Sequence, residues 1–347
     1  MKILTSLAVI SLAGLVFSAP TNDDNDNEKL IITKSMFNKE LVKYTGSHEI
    51  VKILLPLNSL NFDEDDSSES NSHSNESDSD DIIIFFVEAD IDSDGKYVDQ
   101  GLYVLKKGKA TKILNHGRDA AASSDNSTEV FFGAADGIYT YNKEKNTAEK
   151  YGTIDDSIIG IAKESTGDVI YILTENHEVY KVSNKGTKKE KLDDVVNAKQ
   201  IVLDPSNNLY FYSDDKKPYT RTHEGVKKIE GLPDNLSSQS SVTLIKPPFM
   251  IENGVGFVIE NNVYIIYANG TSEEAGFEFK SKAKPSAYAP EAALIQYYAL
   301  NKKIYEFNVL TMLMSEIVDE LKEFLNDKSE DIKSISKKSR FSHRQNA

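Results

Sequence analysis

The 347-residue sequence contains no cysteine and no tryptophan. The absence of cysteine excludes disulfide bonds, a thiol nucleophile and a cysteine-ligated metal. Basic residues are also in the minority, because 40 lysines and arginines face 55 acidic residues and leave a formal net charge of -15. This balance argues against nucleic acid as a partner, since phosphate binding needs clustered positive charge. After residue 17, no stretch reaches the roughly 18 apolar residues of a membrane-spanning helix, so no membrane span is expected.

The N-terminal residues have the pattern of a secretory signal peptide. Met1-Lys2 supplies a short positive region, residues 3–17 are apolar, and Val16 and Ser18 occupy the two positions that define cleavage after residue 18. A buried N-terminal strand is the alternative. A signal peptide over residues 1–18 predicts a secreted, extracellular protein, in which Asn-x-Ser/Thr sequons become candidate glycosylation sites. The four sequons begin at Asn75, Asn126, Asn235 and Asn269.

An internal repeat dominates the rest of the chain. Each copy has an apolar strand, a short polar turn and a second strand whose opening contains a tyrosine; the six tyrosines are Tyr103, Tyr139, Tyr180, Tyr219, Tyr264 and Tyr305. Their spacings are 36, 41, 39, 45 and 41 residues. A period near 40 with several short strands is typical of a propeller blade. A pair of β-sandwiches is the alternative, but six even repeats favour a closed ring, so residues 28–311 are predicted to form an all-β, six-bladed β-propeller that is monomeric.

Each repeat is flanked by two further strand candidates. An apolar segment such as residues 200–203 precedes the pair as the inner strand, and a charged segment such as residues 110–114 follows it as the outer strand. Charge on the last strand protects an exposed sheet edge. The sixth repeat has little sequence left for an outer strand, so residues 40–44 are predicted to supply it and to close the ring.

Two segments depart from the repeat. Residues 62–81 hold nine acids and seven serines, which predicts a disordered insertion on the bottom face of the ring. It is interpreted as a solubilising loop or as a weak calcium-collecting tract, especially if Ser67 or Ser74 is phosphorylated. Residues 312–326 have apolar side chains at helical spacing and predict an amphipathic helix packed on the ring; these are Met314, Ile317, Val318, Leu321, Phe324 and Leu325. Residues 327–347 are predicted to form a flexible basic tail.

Few motifs in the sequence carry chemistry. Asp90, Asp92, Asp94 and Gly95 match the first half of a calcium loop, but Gly101 stands where the loop needs its final acid. The alternative is a solvated hairpin turn. There is no Gly-x-Ser-x-Gly segment, no His pair at metal-ligand spacing and no Gly-rich phosphate loop. We therefore expect no enzyme activity and no cofactor other than calcium.

Propeller ligands are expected at the top mouth of the central channel. The loops predicted to line this mouth contain polar, cationic and aromatic side chains suited to a small polar aromatic molecule. The candidate ligand-binding residues are His48, His116, Arg118, Asp156, Asn197, Gln239 and Tyr288. The same loops also contain Asp119 and Asp155. The alternative interpretation is that these loops are polar because they face water.

Three segments of the repeat resemble the lepidopteran ommochrome-binding proteins. They are residues 131–142 with their continuation 147–152, residues 168–171 and residues 204–211, and the likeness in organisation covers roughly residues 30–310. The resemblance implies a secreted haemolymph protein of insects that carries a tryptophan-derived phenoxazinone pigment. The acidic insertion and the long C-terminal tail depart from that family's pattern.

Three functions follow from these observations. The first is an extracellular protein that binds a small aromatic metabolite or pigment. The second is a calcium-dependent lactonase or esterase, for which Asp119, Asp155, Asp156 and Asn197 would have to converge on one ion. The third is a secreted matrix or silk-associated protein that uses the acidic loop to bind ions or partners.

Overall fold

The computed structural model describes residues 29–62, 82–93, 95–234, 236–237 and 239–309. Several predictions concern the remaining residues and stay predictions: the signal peptide, the acidic insertion beyond Phe62, the helix 312–326 and the tail 327–347. Asn75, Asp94 and Asn235 also lie outside the described residues. None of the helices in the described part is long and apolar enough to cross a membrane.

The described residues form six separate sheets, which confirms the all-β, six-bladed propeller. Blade one contains β3 (Glu49–Leu54), β4 (Ile84–Ile91), β5 (Tyr97–Lys106) and β6 (Lys109–Leu114). Blade two contains β7 (Gly117–Ala122), β8 (Val130–Ala134), β9 (Gly137–Asn142) and β10 (Thr147–Lys150). Blade three contains β11 (Ile158–Lys163), β12 (Ile170–Thr174), β13 (Val179–Ser183) and β14 (Lys188–Lys191). Each sheet runs from an inner strand to an outer strand in chain order.

The other three blades follow the same plan, and two of them take a strand from the N-terminus. Blade four contains β15 (Gln200–Leu203), β16 (Leu209–Tyr212), β17 (Pro218–Thr222) and β18 (Gly225–Lys228). Blade five contains β19 (Val242–Ile245), β20 (Gly254–Ile259), β21 (Asn262–Tyr267) and β22 (Ser272–Phe279), with β1 (Leu30–Ile32) added outside β22. Blade six contains β23 (Ala287–Ala289), β24 (Ile295–Leu300) and β25 (Lys303–Asn308), with β2 (Val42–Thr45) as its outer strand.

Strand β2 closes the ring, as the sequence predicts. It pairs antiparallel with β25, placing Val42 opposite Tyr305 and Tyr44 opposite Ile304. The Tyr44 ring also lies 4.9 Å from the Phe86 ring of blade one. The predicted strand 40–44 is displaced, because residues 39–41 form a 3-10 helix whose first turn is capped by the Asn38 side chain. The parallel pairing of β1 with β22 was not predicted.

The hydrophobic core is divided among the six interfaces between neighbouring blades. Between blades one and two, for example, the Phe85 ring lies 5.2 Å from Phe132 and 4.9 Å from Tyr141. All three side chains are buried. Because each blade uses both faces in this way, the second strands are apolar at nearly every position. The ring therefore needs all six blades to cover its core.

The six repeated tyrosines all lie on the third strands of their blades. In blades one to three, a lysine of the outer strand lies over the ring; in blade three, the Lys189 Nζ atom is 4.4 Å from the Tyr180 centroid. The hydroxyl often donates to an acid of the preceding turn, as Tyr139 does to Asp136 at 2.7 Å. Burial together with this hydrogen bond raises the pKa of Tyr139 to about 12. Tyrosine thus recurs at this position because its aromatic ring packs on the blade and its hydroxyl anchors the turn.

Two faces follow from this topology. The loops that join an outer strand to the next inner strand, and those that join the second and third strands, form the top face. The remaining connections form the bottom face. Asn126 and Asn269 are exposed in bottom-face loops, and their glycosylation stays a prediction. Phe62 and Ile82, the described residues on either side of the acidic insertion, lie in the bottom-face connection between β3 and β4.

Candidate functional site at the top mouth

Blade one has a long hairpin that extends from the top face of the ring. Strands β4 and β5 contain eight and ten residues, whereas the second and third strands of the other blades contain four to six. The extra length forms what we call the mouth hairpin, which comprises residues 89–93 and 95–99. Burial raises the pKa of Tyr212 and the Tyr97 hydroxyl of the hairpin adds to this rise, so Tyr97 lies within electrostatic reach of Tyr212. Tyr212 belongs to blade four, which is opposite blade one in a ring of six.

A β-bulge at the base of the mouth hairpin explains its direction. Glu88 pairs with Gly101 and Ala89 pairs with Asp99, so Gln100 is an extra residue in β5. An extra residue bends the strand and increases its twist. Gly101 accommodates the bend with a φ of +128°, a conformation that suits glycine. The mouth hairpin therefore turns away from the plane of blade one.

The mouth hairpin presents apolar side chains to solvent. Tyr97 is 64% exposed and Val98 is 45% exposed, and Ile91 on the paired strand is exposed as well. Val196, in the top-face loop between β14 and β15, is also exposed. Large apolar side chains grouped on one surface often mark a binding site. Here they all belong to loops of the top face.

Arg118 ties the mouth hairpin to blades two and three. Its Nε atom donates to both carboxylate oxygens of Asp99, at 3.1 and 2.9 Å, and one terminal nitrogen donates to Ser157 Oγ at 2.9 Å. The Ser157 hydroxyl in turn donates to Glu175 at 2.7 Å. This hydrogen bond lowers the pKa of Glu175, with help from the charges of Arg118 and of Lys96 on the mouth hairpin. Three blades thus meet at one guanidinium group.

A second bulge accounts for the position of Arg118. Gly117 pairs with Ala134 and Asp119 pairs with Gly133, so Arg118 is the extra residue of β7. A bulge redirects the side chain of the residue that it inserts. Similar shifts occur near the top ends of β3 and β11. Arg118 was predicted from the sequence as a mouth residue, but the bulge that sets the direction of its side chain was not predicted.

His48 belongs to the same region. Its Nδ1 atom lies 2.9 Å from each carboxylate oxygen of Asp90. Gln100, the bulge residue, donates to the same carboxylate at 2.8 Å. The Asp90 carboxylate is therefore fixed between the loop before β3 and the base of the mouth hairpin. His48 and Arg118 are the two predicted ligand-binding residues that the structure brings to the mouth hairpin.

The other predicted mouth residues are placed differently. Asp156 forms an ion pair of 2.6 Å with Lys189 on the outer strand β14, away from the channel. The loop that contains Asp156 runs from β10, the outer strand of blade two, to β11, the inner strand of blade three. Part of this loop therefore lies near the outer strands and away from the channel. Gln239 lies in an exposed turn in which its N–H donates to the Ser237 hydroxyl, His116 is exposed next to β7, and Asn197 occupies a tight turn with a φ of +51°.

Tyr288 lies within the inner strand β23 and is only partly exposed. Its ring packs against Phe279 and Tyr298 between blades five and six. Its hydroxyl is buried, finds no hydrogen-bond partner among the described residues, and has a pKa raised by burial. Tyr288 thus contributes mainly to the blade interface.

Inside the channel, polar side chains satisfy the free edges of the inner strands. Asp119 accepts the Ile161 N–H of blade three at 3.0 Å, and Gln200 bonds both the N–H and the C=O of Leu244 in blade five, each at 2.9 Å. The Ser286 hydroxyl donates to the Ile50 C=O of blade one at 2.7 Å. These groups replace a neighbouring strand and leave fewer polar atoms unpaired. Asp119 is therefore engaged in holding blades together.

The candidate calcium residues already have protein partners. Asp90 is held by His48 and Gln100, and Asp92 accepts the Lys96 N–H at 2.8 Å. In the described part of the chain, no three His, Asp or Glu side chains are grouped so that they could hold a metal ion. Because Asp94 lies outside that part, the calcium site stays a prediction.

A small apolar cleft occurs away from the mouth, between blades five and six. Its lining includes Phe37, Phe277, Phe279, Phe307 and Tyr298. The Tyr298 hydroxyl is used in a hydrogen bond to Gln296. A ligand site usually combines apolar walls with a few polar groups that orient the ligand. The mouth has both, so we regard the mouth as the candidate site.

Comparison with known proteins supplies no family. No family model and no curated protein matches the chain. Among solved structures, the extracellular domain of a one-component system from B. thetaiotaomicron matches at 10% identity and a TM-score of 0.44. The match covers 78% of this chain and 42% of that one, so the chain spans about two fifths of its length. An auxiliary nutrient binding protein from Bacteroides thetaiotaomicron matches at 10% identity and a TM-score of 0.46, covering 65% of each chain. PorZ of Porphyromonas gingivalis, a surface component of the type-IX secretion system, matches at 10% identity and a TM-score of 0.44, covering 76% of this chain and 37% of its own. The propeller assignment rests on the six sheets described above.

Proposed function

We propose that the protein is an extracellular binding protein that holds a small planar aromatic molecule at the top mouth, against the mouth hairpin. The observation that carries the proposal is the exposure of Tyr97 and Val98 on the mouth hairpin, which belongs to the top face of the ring. Covering this apolar surface with a flat ring would remove it from water. Tyrosine provides such contact with little loss of side-chain freedom.

Charged groups around the hairpin would orient the ligand. Lys96 and Arg118 offer positive charge and Glu175 and Asp90 offer negative charge; Arg118 pairs with Asp99 of the hairpin and with Glu175, and the charge of Lys96 acts on Glu175. A zwitterionic side arm on an aromatic body would find both signs there. The bulge at Gln100 and the Arg118 contacts fix the hairpin before the ligand arrives, and such preorganisation lowers the entropic cost of binding.

We infer that an ommochrome, a tryptophan-derived phenoxazinone pigment, is the ligand class. Its tricyclic ring matches a flat apolar surface and its amino-acid arm matches the charged rim. The resemblance of residues 131–142 and 204–211 to ommochrome-binding proteins supports this choice. A secreted location follows from the predicted signal peptide and belongs to the same proposal. For the lactonase alternative, the structure offers no support, because Asp119 and Asp156 have separate partners on different strands.

An absorbance titration tests the proposal. Purified protein is titrated into xanthommatin and the visible band of the pigment is followed. We expect a saturable spectral shift with a dissociation constant of about 1 μM, which corresponds to about -8 kcal/mol. A linear, non-saturating response, equal to that of an unrelated acidic protein, would contradict the proposal.

A further inference from the structure

The bottom face carries a second apolar surface, which lies at blades five and six. Phe249 is 58% exposed and Leu294 is 56% exposed, and Met250 is exposed beside Phe249. The Phe249 N–H donates to the Glu291 C=O at 3.1 Å, which joins the loop between β19 and β20 to the loop between β23 and β24. The three side chains therefore belong to one surface, which we call the bottom patch.

The described chain ends at the bottom patch. The Val309 N–H donates to the Leu294 C=O at 2.8 Å, and the Val309 side chain is buried in the core between blades five and six. Thirty-eight residues follow Val309. Val309, the last described residue, thus lies beside an exposed leucine of the bottom patch.

We propose that residues 312–326 of this chain dock on the bottom patch through their apolar side. Only residues 310 and 311 separate this segment from Val309, and the three steps from residue 309 to residue 312 span at most about 11 Å. The segment must therefore begin close to Leu294, on the face opposite the mouth. A 15-residue helix would be about 22 Å long, which is enough to pass over both loops of the bottom patch.

The sequence pattern and the charge favour this occupant. Met314, Ile317, Leu321 and Leu325 recur at spacings of three and four, which gives a helix one apolar side. An isolated helix of this length is marginal in water and needs a surface to pack on. A second copy of the chain is the competing occupant. The net charge of -15 makes two copies repel, whereas the C-terminal segment is held at high local concentration by its short link.

Disulfide trapping tests the proposal cleanly, because the chain has no cysteine of its own. Phe249→Cys is combined in turn with Ile317→Cys, Leu321→Cys and Leu325→Cys in the full-length chain. The matched control is Val196→Cys, which is 61% exposed on the top face, with the same three partners. Under mild oxidation we expect at least one Phe249 pair to form an intramolecular disulfide about tenfold faster than its Val196 counterpart. Equal rates at the two faces would overturn the proposal, as would disulfide-linked dimers as the main product of Phe249→Cys alone.

A second measurement compares chains that end at residue 311 and at residue 326. The proposal predicts that the shorter chain binds several-fold more of the apolar dye anilinonaphthalene sulfonate. Phe249→Ser with Leu294→Ser in the shorter chain should remove this increase, which distinguishes an uncovered patch from general unfolding. Equal dye binding by the two chains would overturn the proposal.

Discussion

A chain that begins at Gly46 is expected to lose cooperative folding, whereas a chain that begins at Lys29 keeps it. The shorter chain lacks β1 and β2 and therefore the outer strand of blade six. Phe37 packs edge-on against Tyr305 and Phe307, at 5.2 and 5.5 Å, and Tyr44 packs against Phe86. Removing several such side chains, each contributing about 1.5–3 kcal/mol when fully buried, approaches the whole stability of about 5–15 kcal/mol that a domain has.

Urea unfolding followed by circular dichroism measures this effect, with a third chain that begins at Lys34 and lacks only β1. We expect a sharp transition for the chains that begin at Lys29 and Lys34, at a somewhat lower urea concentration for the latter. The chain that begins at Gly46 should unfold gradually or fail to fold. If its transition matched that of the Lys29 chain in midpoint and slope, β2 would not be the strand that closes the ring.

The second large effect concerns ligand binding. Replacement of Tyr97 and Val98 by serine is expected to weaken xanthommatin binding at least tenfold, or about 1.4 kcal/mol, because the flat surface of the mouth hairpin is lost. Stability should change little, since exposed side chains away from special contacts contribute within about 0.5 kcal/mol. The measurement is the absorbance titration, accompanied by a thermal unfolding curve.

The matched control removes two exposed apolar residues from the other face. Phe249→Ser with Met250→Ser changes a comparable exposed surface on the bottom patch. We expect this variant to bind xanthommatin as the unsubstituted chain does. Equal losses of affinity in the two double variants would show that the effect does not come from the mouth.

The sequence predicted the framework of the ring because each blade repeats the same local physics. Tyr139 and Tyr180, for example, occupy equivalent positions on β9 and β13, with a lysine over each ring. The outer strand of blade six was predicted at residues 40–44, because few residues after Tyr305 remained to form it. Strand β1 was missed, because three residues in a parallel edge pairing show no alternation that could identify them.

The candidate site was predicted less well, since it depends on register. The bulges at Gln100 and Arg118 each add one residue to a strand, and a shift of one residue reverses the face of every side chain beyond it. The direction of the mouth hairpin follows from the first bulge and could not be derived from the alternation of residues 84–98. Asp156 was assigned to the mouth from its loop alone, and its contact with Lys189 depends on where that loop crosses the blade.

Hydrogen–deuterium exchange with and without saturating xanthommatin tests the central claim most directly, because it locates the ligand on the ring. We expect slower exchange in residues 89–99 and at the start of β7, around Arg118, with no change in the bottom-face loops 204–208 and 246–253. Slower exchange confined to those bottom-face loops, or to the cleft lined by Phe37 and Phe279, would contradict a site at the top mouth.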